Sequence, residues 1–274
     1  MPELPEVETV VRGIRAQILD KNVTSVVLRR PALRYPIPRE TTSQLPHAKV
    51  SKVYRRSKYI LIDFANAQTL LLHLGMSGTI TFHDLQYEFA KHDHFVLEFA
   101  ESGLCMCFND PRRFGIIDLF ATAETAQNRY LKILGPEPLE KTWSYDFFQQ
   151  SLRGKKTNIK SFLMNAKNVV GIGNIYAAES LFLAGIHPLR IADSLREKEA
   201  KALHAAVRKV LQKAIRAGGS SLRDFRQTDG SLGYFSMQFA VYGREGEDCK
   251  TCGTKIENTK ISGRSSFFCP KCQS

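Results

Sequence analysis

The chain has 274 residues, enough for about two domains, and its 43% apolar and 24% charged content excludes a disordered or low-complexity polymer. Its apolar runs fall short of the ~18 residues of a membrane span, and Arg12 and Arg15 break the N-terminal run that a secretory leader needs, so a cytoplasmic protein is expected. Thirty-nine basic against 27 acidic residues give a net charge of +12. The excess gathers in the second half: Arg153, Lys155, Lys156, Lys160 and Lys167 form a stretch without an acid, and between Lys201 and Arg226 the only acid is Asp224. A polyanion is the natural partner, with nucleic acid favoured over anionic lipid.

The chain opens Met1-Pro2-Glu3-Leu4-Pro5-Glu6-Val7-Glu8. Pro5 suits the first position of a helix, Glu6 and Glu8 favour its positive end, and Val7, Val10, Val11, Ile14 and Ile18 recur at helical spacing as its buried stripe. Removal of Met1 would also leave Pro2 as a free secondary amine beside the Glu3 carboxylate. An α-amino group titrates near ~8, against ~10.4 for lysine, so part of it is unprotonated at neutral pH.

Residues 23–28, 49–54, 58–64, 69–74, 79–83, 94–99, 104–108 and 115–120 are β-branched or aromatic runs separated by Gly, Pro, Asn and Asp, which predicts an all-β sandwich or barrel. Leu134 to Pro138, with two prolines and a glycine, reads as a linker or a fixed turn. Helical patterning follows. Ser194 and Glu197 are spaced as a capping box, Leu203, Val207, Val210, Leu211 and Ile215 form an apolar face, and Gly218-Gly219 ends the helix. The piece from about Phe239 onward is too short to bury a core and requires a staple. The expectation is an α+β multidomain chain: a β-sandwich with an N-terminal helix (1–130), a helical domain (131–235) and a stapled β-hairpin (236–274).

The staple is Cys249, Cys252, Cys269 and Cys272. Two Cys-x2-Cys knuckles sixteen residues apart supply a tetrahedral thiolate set for one structural zinc ion, and disulfides are disfavoured in a reducing cytosol. Arg264 lies near the tip of the hairpin between the knuckles. Cys105 and Cys107 alternate with apolar residues on a strand and read as core. Gly171-Ile172-Gly173-Asn174-Ile175-Tyr176 lacks the third glycine of a dinucleotide fingerprint; in a basic, helical setting it brings a helix N-terminus close to a backbone phosphate. His73, His92 and His94 raise the possibility of a three-histidine metal site, against which stand phosphate contact and simple exposure. The turns His73–Gly78 and Asn109–Gly115 each pair glycine with a bulky residue, Met76 and Phe114; either residue alone would by default close the β core, while on loop tips they suit wedging into a base stack, with Arg112 filling the gap left by an extruded base.

The opening octet, both wedge turns, the Gly-x-Gly-Asn-Ile-Tyr stretch and the cysteine hairpin, in that order over nearly the whole chain, resemble the bacterial formamidopyrimidine-DNA glycosylases. The resemblance implies a monomeric bifunctional glycosylase and apurinic/apyrimidinic lyase acting on damaged double-stranded DNA in base excision repair, without a small-molecule cofactor or a membrane. It implies removal of 8-oxoguanine and formamidopyrimidines, with Pro2 attacking the sugar C1′, Glu3 as general acid, Glu6 supporting the site, and Lys58 and Arg264 assisting β- and δ-elimination. It marks His92, Arg112, Lys155, Lys160 and Asn174 as DNA contacts, the last within a helix-two-turn-helix element, gives His73 a supporting role, and makes Met76, Arg112 and Phe114 a void-filling triad. Ser220, Ser221 and Arg223 would belong to a loop covering the lesion. At Ser57 this chain departs from the family, which commonly has glycine there. An endonuclease VIII-like glycosylase for oxidised pyrimidines shares the Pro-Glu start and the zinc hairpin. A non-enzymatic zinc-ribbon DNA-binding protein explains the charge and cysteines but not Pro2 beside Glu3.

Overall fold

The computed structural model describes residues 1–220, Thr228 and 234–274. They form two compact units, Met1–Lys132 with Gly218–Tyr234, and Ile133–Ala217 with Phe235–Ser274.

The first unit begins with α1 (Leu4–Ile18). The helix starts one residue before Pro5, because Glu3 caps it: the Glu3 backbone N–H donates to Glu6 Oε2 at 2.9 Å, half of a capping box that also places the Glu6 carboxylate at the positive helix end. Val7, Val10, Val11, Ile14 and Ile18 are all buried, as the spacing predicts. After β1 (Ser25–Leu28) and the single turn α2 (Thr41–Gln44) come β2 (Val50–Arg56), β3 (Tyr59–Phe64), β4 (Gln68–His73), β5 (Thr79–Asp84), β6 (Asp93–Phe99), β7 (Leu104–Asn109) and β8 (Ile116–Ala121). Each predicted strand is found within two residues of its expected ends.

The strands form two antiparallel four-stranded sheets, ordered β1-β6-β7-β5 and β2-β3-β4-β8. Period-two alternation sends Ile60, Ile62, Phe64, Leu70 and Leu72 of one sheet and Phe95, Leu97, Phe99, Met106 and Phe108 of the other into a single core, which the α1 stripe joins. The Arg15 guanidinium fastens α1 to the sheet by donating to Val53 O at 2.9 and 2.6 Å. Cys105 and Cys107 are buried beside Val96 under Tyr87 and Phe89, a core position as expected.

The second unit holds α3 (Tyr145–Leu152), α4 (Ile159–Met164), α5 (Asn174–Ala184), α6 (Glu197–Arg216) and a hairpin of β9 (Glu257–Ile261) and β10 (Arg264–Phe268). Ser144 and Asn158 cap α3 and α4 through their side-chain oxygens. The expected Ser194/Glu197 box is displaced by two residues. Residues 192–194 form a 3-10 turn in which Ser194 Oγ donates back to Ile191 O, and the box is made instead by the Arg196 N–H on Glu199 Oε2 at 2.8 Å. Glu199 wins because Arg190 and Arg196 also converge on its carboxylate, holding its pKa down at about 2. The Leu134–Pro138 segment is a fixed turn: Gly135 N donates to Ala166 O at 2.8 Å, and a Cβ at Gly135 would meet Lys167 O at 2.4 Å. Among the described residues no helix is long and apolar enough to cross a membrane.

Candidate active site and nucleic-acid interface

Pro2, Glu3 and Glu6 are buried at the start of α1, Glu3 3% and Glu6 2% exposed. The Glu6 carboxylate does more than cap its helix. Its Oε1 accepts from the backbone N–H of Ser220 at 2.8 Å and from Ser220 Oγ at 2.9 Å. Gly219, at φ +78°, lies so close that an added Cβ would meet Glu6 atoms at 3.1 to 3.2 Å. One carboxylate therefore joins the start of α1 to the segment leading into residues 221–233. Ser221 and Arg223 lie outside the described residues.

Lys58 occupies the two-residue turn of the β2–β3 hairpin, between the paired Arg56 and Tyr59. Ser57 adopts φ +57°, the left-handed conformation for which glycine is the easier choice, and is buried; the turn is kept despite the departure from glycine. Arg55 supports it, donating from Nη1 to Ser57 O at 3.0 Å while its Nε pairs with Glu8 on α1 at 3.1 Å. The same carboxylate-to-guanidinium link sets the Lys58 turn against the first turns of α1. His73 ends β4 opposite Tyr59, with ring centroids 5.0 Å apart. Burial, then the nearby Lys58 and Arg34 cations, lower its pKa to about 4, so its Nδ1 is free to accept the Gly75 N–H at 3.1 Å.

The two wedge turns meet. A Cβ on Gly75 (φ +59°) would lie 2.5 Å from the Phe114 carbonyl carbon, so only glycine permits this approach. Met76 and Phe114 are each 42% exposed, and the Arg112 guanidinium stands over the Phe114 ring at 4.9 Å. Neither bulky residue closes the β core. His92 and His94 have ring centroids 6.0 Å apart, but a bulge between Asp93 and Phe95 gives them different settings: His94 is buried with Nε2 on Asp110 O at 3.0 Å, whereas His92 is partly exposed. Among the described residues the histidines form no metal-ligating group. The residue that sequence reading missed is Asp110, wholly buried between the two turns, whose Oδ1 accepts from Ser77 Oγ at 2.8 Å and whose Oδ2 accepts from Gly115 N at 2.7 Å. Its only sequence signal was an acid directly before a proline in a glycine-bounded turn.

In the second unit Lys155 is exposed on the loop between α3 and α4. Lys160 is placed differently from the expected DNA contact. It is 1% exposed, and its ammonium donates to Ser265 O at 3.0 Å and to Ser266 Oγ, so it is committed to β10. Its position in the first turn of α4 faces inward, which a count of cations could not reveal. Asn174 begins α5 after the Gly173 cap, and its Nδ2 also donates to Ser265 O, at 2.9 Å. Ser262 and Gly263, at φ +49° and +75°, make the tight β9–β10 turn, and Arg264 follows as the exposed first residue of β10. Lys160, Ser161, Met164, Asn165, Ile261 and Arg264 line a cleft beside it.

The ligand atoms of Cys249, Cys252, Cys269 and Cys272 all lie within 4.8 Å of one another, a donor set and spacing suited to one tetrahedral zinc. The hairpin base, too short to bury a core of its own, has apolar support from α5. Ile256 and Phe267 pack with Val241, Tyr242 and the cysteines onto Ala178 and Phe182 of α5. Glu179 of α5 fixes the preceding segment, accepting from the N–H groups of Ala240, Val241 and Tyr242 at 2.9 to 3.0 Å.

Three family models match the chain in order: the formamidopyrimidine-DNA glycosylase N-terminal domain over residues 1–117, its H2TH domain over 134–226, and the zinc finger found in FPG and IleRS over 246–274. The formamidopyrimidine-DNA glycosylases of Ruegeria pomeroyi and Pectobacterium carotovorum are 46% and 48% identical to it, with all of each chain covered. Among solved structures, a Lactococcus lactis FPG variant in complex with a Fapy-dG-containing DNA superposes with a TM-score of 0.93 at 34% identity over the whole of both chains. The MutM (FPG) protein of Thermus thermophilus gives 0.88 at 38% identity, covering 99% of this chain and 98% of that one. With all three domain models matched in order and full-length relatives at nearly half identity, the chain belongs to the formamidopyrimidine-DNA glycosylase family, and its four-cysteine cluster is that family's structural zinc site.

Proposed function

We propose that this DNA glycosylase excises oxidised purines, 8-oxoguanine and formamidopyrimidines, and then cuts the strand through a covalent Pro2 intermediate. The observation that carries the reading is Pro2 directly before a buried Glu3 at the capped start of α1, in a chain that matches its relatives from end to end. Met1 is half exposed and, once removed, leaves the Pro2 nitrogen with a lone pair. That nitrogen forms a bond to C1′ of the extruded nucleotide as the glycosidic bond breaks and its electron pair leaves with the base. Of the two protons taken up, by the departing base and by the sugar ring oxygen, the Pro2 nitrogen gives up one on becoming tertiary and Glu3 delivers the other; the bond from C1′ to the ring oxygen then opens to give the iminium. The cationic iminium acidifies the C2′ proton; its loss expels the 3′ phosphate, and a further elimination expels the 5′ phosphate. Lys58 and Arg264 are assigned to these elimination steps.

The zinc ion, held by Cys249, Cys252, Cys269 and Cys272, supplies rigidity and no chemistry. Met76, Arg112 and Phe114 fill the space of the extruded nucleotide, while His92, Lys155 and Asn174 engage phosphates; Asn174 has one Nδ2 hydrogen on Ser265 O and offers the second. Ser220, with Ser221 and Arg223, leads the loop over the lesion.

Borohydride trapping on a duplex containing 8-oxoguanine tests the reading. A reducible covalent complex is expected from the wild type, none from Pro2→Gly, and none from protein shown by mass to retain Met1. Full strand cleavage by the Met1-bearing form refutes the nucleophile. Faster excision of oxidised pyrimidines than of oxidised purines on matched duplexes refutes the substrate class.

A further inference from the structure

The Asp110 carboxylate touches no residue assigned to bond making, yet it lies where every candidate strand-opening element of the first unit meets. It is fully buried. Oδ1 accepts from Ser77 Oγ in the Met76 turn, at 2.8 Å, and Oδ2 accepts from Gly115 N at the end of the Arg112–Phe114 turn, at 2.7 Å. Its main chain reaches a third element, with its N–H on His92 O at 3.0 Å and its carbonyl on His94 Nε2 at 3.0 Å. The glycines around it are shaped to this contact: a Cβ on Gly115 would stand 3.0 Å from Asp110 Oδ2, and a Cβ on Gly75 would collide with the Phe114 backbone. A buried carboxylate satisfied by two loops is costly to leave half satisfied, so the arrangement holds both loops in one register.

We infer that Asp110 is a positioning residue that locks the Met76 and Arg112–Phe114 turns into a single rigid wedge, with His92 on the same frame. This inference rests on the proposed glycosylase reading and deepens it. Two separate loops would each lose conformational entropy on entering the base stack, whereas a wedge already assembled does not. Asp110 therefore acts on extrusion of a paired lesion and much less on chemistry at a site already without its base, where unstacking is cheap.

The test compares single-turnover excision of 8-oxoguanine paired with cytosine against strand cleavage at a preformed abasic site, with 2-aminopurine beside the lesion to report unstacking. Asp110→Ala should slow unstacking and paired-lesion excision roughly 10- to 100-fold while abasic cleavage falls several-fold at most. Asp110→Asn should rescue most of the loss: its amide oxygen accepts from Gly115 N, and its NH2 donates to Ser77 Oγ, which accepts equally well. Ser77→Ala removes one of the two anchors, keeps the buried carboxylate paired with Gly115, and should give an intermediate loss on the paired lesion alone. This variant decides the matter if Asp110→Ala does not fold. Equal losses on both substrates for Ser77→Ala, or no loss for either variant, overturn the inference. Absence of excision by the wild type itself would instead fail the glycosylase reading and is read separately from these ratios.

Discussion

Replacing Glu6 tests whether one buried carboxylate joins the start of α1 to the segment at Gly219 and Ser220 that precedes residues 221–233. Among the described residues these donors converge on it: Glu3 N–H on Oε2 at 2.9 Å, and Ser220 N–H and Oγ on Oε1 at 2.8 and 2.9 Å. In Glu6→Ala the Ser220 hydroxyl can turn elsewhere, but two buried backbone N–H groups lose their acceptor, at about 1–3 kcal/mol each. A net loss of about 2–5 kcal/mol follows, allowing for water entering the vacated space. Glu6→Gln keeps one oxygen and turns its NH2 toward the other donor, so it should lose roughly half as much. Ser220→Ala, which retains the N–H bond to Oε1, should cost about 0.5–1.5 kcal/mol, and its effect should shrink in the Glu6→Gln background because the two share a partner. Urea unfolding followed by circular dichroism reads the wild type, the three single variants and the Glu6→Gln/Ser220→Ala double variant. Glu6→Ala within about 0.5 kcal/mol of wild type, or strict additivity of Glu6→Gln and Ser220→Ala, refutes the joint described here.

The folded pKa of His73, about 4, lies below its ordinary 6.5, so its contribution to stability is complete above pH 6.5 and is lost as pH falls from 6.5 through 4. His73→Gln, which keeps an acceptor for Gly75, should flatten the pH dependence of the unfolding free energy, read by urea titration, in that window by an amount on the order of 3 kcal/mol. Salt titrations of duplex binding should separate two lysines: Lys155→Ala should reduce the log–log slope by about 0.9, while Lys160→Met, with its ammonium already spent on β10, should leave the slope unchanged and lower thermal stability instead. Cys249→Ser should lose zinc and sharply reduce duplex binding and strand cleavage, yet leave the eight-stranded β-unit folded by circular dichroism; a variant without zinc that binds and cuts like wild type removes the hairpin and Arg264 from the mechanism.

The strands were legible because each is a short β-branched or aromatic run bounded by turn residues, and the burial of alternate positions such as Ile60, Ile62 and Phe64 follows from period two alone. The cysteine cluster was legible because ligand spacing is itself the geometry of a zinc knuckle. What sequence could not resolve was direction and competition. Ser194 and Glu197 have cap spacing, but Glu199 meets two guanidinium groups and takes the role. Lys160 belongs to a basic run by composition, and only the packing of α4 shows its ammonium turned inward onto Ser265.

Asp110 is the sharper case, because an acid before a proline is its only local mark and says nothing of the partners it meets. Its partners Ser77 and Gly115 lie on turns separated by more than thirty residues and are brought together by the sheet order β1-β6-β7-β5 beside β2-β3-β4-β8. Met76 ends one excursion between the sheets and Phe114 ends the other, so the sandwich itself sets these turns side by side, and glycine at 75 allows the backbones to touch. A side chain that stands out in the sequence, such as the exposed Met76 or Phe114, is then the tip of a device whose rigidity comes from an inconspicuous acid beneath it. The same division recurs at the start of α1, where Pro2 and Glu3 are the residues proposed for the chemistry and Glu6, through its bonds to Glu3 N–H and Ser220 N–H, fixes the backbone on which they stand.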